Sequence, residues 1–128
     1  MIVAVIGAGT MGRGIAQVLT ASGCDVLVHD RNGAAAYEAV RFVGDMLDRA
    51  AAKGRMEVAE TETAKRRLRV AETLEELAPA GMAIEAIAED LDAKRALVCE
   101  LEDVLAEDAV LATNTSSLSV SAIAGGAR

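Results

Sequence analysis

The 128-residue chain (13.2 kDa) is 52% hydrophobic and 26% charged, a globular composition with room for one domain, not that of a disordered segment. Thirteen Lys and Arg against twenty Asp and Glu give a formal charge of −7, which argues against nucleic acid as a partner but leaves open a small phosphate ligand held by local geometry. One tyrosine (Tyr37), one phenylalanine (Phe42) and no tryptophan mean that the core must be built from Ala, Val, Ile, Leu and Met. Two cysteines, Cys24 and Cys99, are too few for a disulfide scaffold, and no Cys/His cluster resembles a metal site. The apolar opening carries no basic leader or cleavage pattern, and no run approaches the ~20 apolar residues of a membrane span. The expectation is a cytoplasmic protein with no metal and no membrane contact.

In chain order, Ile2–Ile6 is a β-branched run ending at glycines and reads as a strand buried on both faces. From Thr10 to Ser22, Met11, Ile15, Val18 and Leu19 fall at helical spacing, and Gly23 stops the helix. Asp25–Asp30 is a second strand, and the strand–helix–strand unit makes the pair parallel. Ala34–Lys53 reads as a long helix with Val40, Val43, Leu47 and Ala50 on one stripe, followed across Gly54 by a more polar helix over Glu57–Arg67. Two helices with no strand between them predict a helical hairpin projecting from the sheet. Leu68–Ala71 is a short third strand, followed by a turn or short helix to Pro79. Met82–Ile87 is the fourth strand, Asp92–Ala106 an amphipathic helix, Ala109–Thr113 the fifth strand, and Leu118–Ala124 the start of a helix. Alternating strands and helices imply an α/β fold with a doubly wound parallel sheet.

Gly7-Ala8-Gly9-Thr10-Met11-Gly12 follows the first strand and opens the first helix. In a G-x-G-x-x-G turn the first glycine permits the tight turn, the second leaves space for a diphosphate against the backbone, and the third lets helix and strand lie close. The helix N-terminus offers free N–H groups and a partial positive charge. Asp30, at the carboxyl end of the next strand, stands where an acid accepts hydrogen bonds from the adenosine ribose; otherwise it is a solvated loop residue. A carboxylate there repels a 2′-phosphate and favours NAD over NADP, although the adjacent Arg31 can accommodate that phosphate.

Glu85 sits within the otherwise apolar Met82–Ile87 strand. An unpaired carboxylate buried there is too costly, so Glu85 either faces the crevice at the strand's carboxyl end or is paired. Asp90 and Asp92 are explained as acids at a helix N-terminus. Lys94 opposes the helix dipole by roughly 0.3–1 kcal/mol, and either faces a cofactor or is a surface lysine. Thr113-Asn114-Thr115-Ser116-Ser117 offers many donors at the end of the fifth strand, and Ser117 also suits a helix cap.

Together, Val5–Ala16, His29-Asp30-Arg31, Ile84-Glu85-Ala86-Ile87-Ala88-Glu89-Asp90 and Ala112–Leu118 resemble the amino-terminal part of the short-chain 3-hydroxyacyl-CoA dehydrogenases, including the bacterial 3-hydroxybutyryl-CoA enzymes. The resemblance runs over the whole chain. It implies a Rossmann-type NAD-binding domain over 1–128, with a hairpin insertion at about 34–67 and the family's C-terminal helical substrate and dimerisation domain absent from this chain. It implies that Gly7, Ala8, Gly9, Thr10, Met11 and Gly12 hold the diphosphate and Asp30 the adenine ribose. Glu89 and Lys94 would lie near the nicotinamide half, and Ser116 would bond the substrate's 3-oxygen beside the nicotinamide as a catalytic residue. Lys53, at the hairpin tip, would meet the CoA moiety with Arg49 as its neighbour. Met46 stands where the family pattern has a polar residue that can contact CoA elsewhere.

Taking hydride from a secondary alcohol also requires a base for the hydroxyl proton. The single histidine, His29, adjoins the ribose acid, at the wrong end of an extended dinucleotide. The family supplies this base as a histidine paired with a glutamate. Five strands rather than six leave the fifth as an open edge. The expectation is an isolated or truncated cofactor domain that binds NAD without turnover, from a homodimeric parent acting on acyl-CoA. A standalone nucleotide-binding or regulatory module is the alternative, and a flavin-binding domain a weaker one.

Overall fold

The computed structural model describes residues 1–87 and 90–113. Strand β1 (Ile2–Ile6) leads through α1 (Thr10–Ala21) to β2 (Asp25–His29). Helices α2 (Gly33–Ala52) and α3 (Val58–Arg67) then lead to β3 (Leu68–Val70). A 3₁₀ turn at Leu74–Leu77 precedes β4 (Met82–Glu85), α4 (Leu91–Val104) and β5 (Val110–Thr113). The five strands form one sheet in the order β3-β2-β1-β4-β5, and every pairing is parallel. Strand order reverses at β1, which is flanked by β2 and β4, as the doubly wound reading requires. In register, Ile6 pairs with both His29 and Glu85, and Glu85 with Thr113. These four residues form a row along the carboxyl edge.

Side-chain alternation divides the core into two layers. Val5, Val26 and Val28 face α1, α2 and α3, packing with Ala16, Ala36, Ala39, Val43, Leu47, Ala64 and Leu68. On the other face Ala4, Ile6, Leu27 and Ala83 meet Ala71, Leu77, Ala80 and Leu101. Alanine, valine, isoleucine and leucine side chains thus make up these layers, while Tyr37 and Phe42 are exposed.

Two expectations are corrected. On α1 the buried positions are Gly12, Ala16 and Thr20; of the predicted stripe Ile15 and Leu19 pack partly buried against the core, whereas Met11 (59% exposed) and Val18 (65%) point outward. At Gly12 the helix lies too near the β1 turn for any side chain, and Thr20 satisfies its hydroxyl by donating to Ala16 O at 2.7 Å. The hairpin also does not stand clear of the sheet. Ala36, Ala39, Val43 and Leu47 of α2 pack directly on β2, so α2 is itself the crossover helix. Its tip, with Lys53, Gly54 and Arg55, is exposed. Asp48 on α2 accepts from Lys65 Nζ on α3 at 3.2 Å, an exposed pair that adds little stability.

The sequence-predicted helix at Leu118–Ala124 lies outside the described residues. No helix among them is long and apolar enough to cross a membrane.

Candidate nucleotide-binding site

At the end of β1 the chain turns sharply, and Gly7 donates its N–H to His29 O at 2.8 Å. Gly7 has φ +105°, and a Cβ there would stand 2.7 Å from Ala86 O. A Cβ on Gly12 would lie 1.7 Å from Gly7 O, so the third glycine is what allows α1 to start against the strand. Gly9 differs from both. It is the exposed N-cap of α1, it has ordinary φ, and a Cβ there would meet nothing within 4 Å. No side chain caps α1, and no acid occupies its first turn. The helix therefore presents uncapped N–H groups and its positive end to open space beside a residue without a side chain, which suits an anionic group. Thr10 and Met11 are exposed on this rim. Arg13, one turn along, approaches Thr10 Oγ1 at 3.4 Å and stacks 4.5 Å from the Phe42 ring centroid.

Asp30 is joined to this turn. Its Oδ2 accepts the Ala8 amide at 2.8 Å and its Oδ1 accepts the Asn32 amide at 2.8 Å. The Asn32 side chain in turn caps α2 by accepting from Ala34 N–H at 3.1 Å. Each carboxylate oxygen keeps a further lone pair for a ligand hydroxyl. His29 is 8% exposed, and its Nδ1 donates to Ala71 O at 2.9 Å. The lone imidazole is thus committed on the β2–β3 side. Farther round that side, Tyr37 on α2 donates its hydroxyl to Glu72. This hydrogen bond, and then the Glu72 charge, raise the phenol pKa above its ordinary value.

Beyond β1 on the other side, the two open alternatives for Glu85 resolve: it is paired, and its partner is Lys94. Lys94 Nζ lies 2.7 Å from both carboxylate oxygens of Glu85, and the two residues are 0% and 1% exposed. Ile87 N–H donates to Glu85 Oε2 at 2.6 Å, Ile87 O stands 3.4 Å from Lys94 Nζ, and the Thr113 hydroxyl donates to Glu85 Oε1. Lys94 is therefore not a surface lysine. The signal available in the sequence was the coincidence of two anomalies, an acid in an apolar strand and a base against a helix dipole, each of which lacks a partner within its own element. Asp90 caps α4 by accepting from Ala93 N–H at 3.2 Å.

Lys53 and Arg49 lie one turn apart at the exposed end of α2, on an element separate from the glycine turn, and Met46 is half-buried. Glu89 and Ser116 lie outside the described residues. Among those residues no group of three or more His, Cys, Asp and Glu side chains could hold a metal ion.

A parallel sheet reversing at β1, with a glycine turn and an acid closing the neighbouring strand, defines a Rossmann-type dinucleotide-binding domain. The family described as "3-hydroxyacyl-CoA dehydrogenase, NAD binding domain" matches residues 2–128, and the chain belongs to it; NAD is the cofactor of that family. The chain is 38% identical over 122 residues to the 3-hydroxyadipyl-CoA dehydrogenase of Escherichia coli (strain K12), covering 95% of this chain and 26% of that protein. It is 35% identical over 124 residues to the 3-hydroxybutyryl-CoA dehydrogenase of Clostridioides difficile, covering 97% and 44% respectively. The crystal structure of 3-hydroxybutyryl-CoA dehydrogenase from Escherichia coli K12 superposes with a TM-score of 0.92 at 38% identity, covering 97% of this chain and 26% of that one. The (S)-3-hydroxybutyryl-CoA dehydrogenase of Ralstonia eutropha gives 0.90 at 32% identity, covering 98% and 44%. The chain thus spans less than half the length of each of these relatives.

Proposed function

We propose that these residues form the NAD-binding part of an oxidoreductase that interconverts (3S)-3-hydroxyacyl-CoA and 3-ketoacyl-CoA. The α1 N-terminus and the Gly7–Gly12 backbone would hold the diphosphate, and Asp30 would accept the adenosine ribose hydroxyls. Lys94 and Glu89 would border the nicotinamide half, and Ser116 would hydrogen-bond the substrate's 3-oxygen. Lys53, with Arg49 beside it, would meet the CoA moiety. When bound, NAD supplies the hydride acceptor.

The observation that carries this reading is the open face of Gly9 at an uncapped helix end, next to a carboxylate already tied to Ala8. Asp30 also supports NAD over NADP, because a carboxylate repels a 2′-phosphate. Family membership, and relatives named for 3-hydroxyacyl-CoA substrates, support the substrate class. The same reading takes the parent enzyme as a homodimer. Two cysteines are too few for a disulfide scaffold, which suits a reducing cytoplasm.

His29 is the single histidine of the 128 residues and is held by Ala71 on the adenosine side, so it is not placed to take the substrate proton. The second reading, a nucleotide-binding module without catalysis of its own, is favoured by that one observation. Calorimetric titration tests the cofactor assignment: NADH should bind and NADPH bind more weakly, and absence of heat with NADH overturns it. Mixing the chain with NAD and 3-hydroxybutyryl-CoA should yield no NADH absorbance. Sustained turnover would overturn the view that these residues bind without catalysis.

A further inference from the structure

We propose that Glu85 is a positioning residue for the nicotinamide half of the cofactor site, holding the carboxyl ends of β4 and β5 and the start of α4 as one unit. The inference rests on the NAD reading above and deepens it.

The topology sets the place. The glycine turn lies at the end of β1, and Asp30 at the end of β2 on one side. A dinucleotide with its diphosphate at the turn and its adenosine over Asp30 extends in the other direction, over β4 and then β5. Glu85 stands in that direction, in register with Ile6 and Thr113. Its carboxylate gathers groups from each element there: the Lys94 ammonium from α4, the Thr113 hydroxyl from β5 and the Ile87 amide that follows β4. Lys94 also reaches Ile87 O at 3.4 Å, so both polar groups of that peptide segment are engaged.

Stability alone does not account for this arrangement. A buried ion pair seldom outperforms an apolar pair of similar volume, and its neighbours Val98 and Leu101 on α4 show that the layer accepts aliphatic side chains. What the ionic cluster adds is direction. A bidentate carboxylate–ammonium contact fixes the α4 start relative to β4, and the hydroxyl bond fixes β5 to both. The pair carries no net charge, so its contribution is geometric rather than a general attraction for anions.

The test compares NADH with ADP-ribose, which shares the adenosine and diphosphate but lacks the nicotinamide. In Glu85→Gln, and in the double variant Glu85→Leu with Lys94→Met, NADH affinity should fall about tenfold while ADP-ribose affinity stays within about twofold. The aliphatic double variant should keep a wild-type melting temperature, which separates positioning from stability. Thr113→Val, which preserves shape, should weaken NADH about threefold, and Thr113→Ser should restore it. Unchanged NADH affinity in folded variants, or equal losses for both ligands, overturns the inference. If the double variant fails to fold, Thr113→Val against Thr113→Ser decides. A wild-type chain that binds neither ligand overturns the NAD reading itself. One that binds both equally leaves the nicotinamide half without a grip and overturns only the role of Glu85.

Discussion

Asp30 Oδ2 accepts the Ala8 amide hydrogen at 2.8 Å, which ties the acid closing β2 to the glycine turn closing β1. Its other oxygen holds Asn32 N–H at 2.8 Å, at the entry to α2. The carboxylate is therefore oriented by the backbone before any ligand arrives, and less side-chain entropy is lost on binding. Asp30→Ala should weaken NADH by roughly 10–100-fold and lower stability by about 1 kcal/mol, because a partly buried amide loses its acceptor. Calorimetry and a thermal melt report the two effects separately. Ser116→Ala should leave NADH affinity within about twofold if that serine serves the substrate.

The glycines of the turn should separate by experiment. At Gly9 a Cβ meets nothing within 4 Å, so Gly9→Ala should fold with an unchanged melting temperature and still lose NADH, the methyl occupying the space of the diphosphate. At Gly12 a Cβ would stand 1.7 Å from Gly7 O, and Gly12→Ala should cost about 3 kcal/mol or more as α1 is forced off the strand. A melt paired with an NADH titration distinguishes a binding glycine from a packing glycine. Equal melting losses in the two variants would contradict the assignment.

On α1 Val18 is expendable, whereas Ile15 and Leu19 pack against the core. Val18 is 65% exposed and Ala16 is fully buried. Val18→Gln should therefore change stability by no more than about 0.5 kcal/mol, and Ala16→Leu should cost about 1–3 kcal/mol by overpacking. Chemical denaturation midpoints at constant slope measure both.

That helix also shows what the sequence conveyed and what it withheld. The strands, their parallel pairing and the glycine turn were legible because each has a short-range cause: β-branched runs, a crossover too long for a hairpin, a glycine at a forced turn. The inner face of α1 was legible only in part: Ile15 and Leu19 do pack on the core, but apolar periodicity weights large side chains, and Met11 and Val18 outweighed Gly12, Ala16 and Thr20. Closeness to the sheet, which selects small residues, is a tertiary fact. The hairpin was misjudged for a similar reason, since Ala36 and Ala39 scarcely register as an apolar stripe yet make the close contact with β2. Glu85 was legible as a residue needing a partner but not as the partner of Lys94, because that contact crosses from a strand to a helix through a loop. The Asp30–Ala8 bond likewise depends on the two strands lying in register.

Tyr37 offers a readout that needs no ligand. It is the only tyrosine in a chain without tryptophan, so phenolate absorbance reports a single group. Its hydroxyl donates to Glu72, and that bond, with the nearby Glu72 charge, holds the pKa above the ordinary 10.0. The sign follows from the protonated phenol being the donor. The contribution is fully present below the unfolded-state pKa and is lost as pH rises through the raised folded-state value. A spectrophotometric titration of the native chain should therefore give a midpoint above 10.0, and Glu72→Gln, which removes the charge, should return it toward that value. Because Glu72 follows β3 and Tyr37 lies on α2, the same variant reports whether this contact holds α2 against the sheet edge. If the wild-type and Glu72→Gln midpoints coincide, the two side chains are not joined in solution.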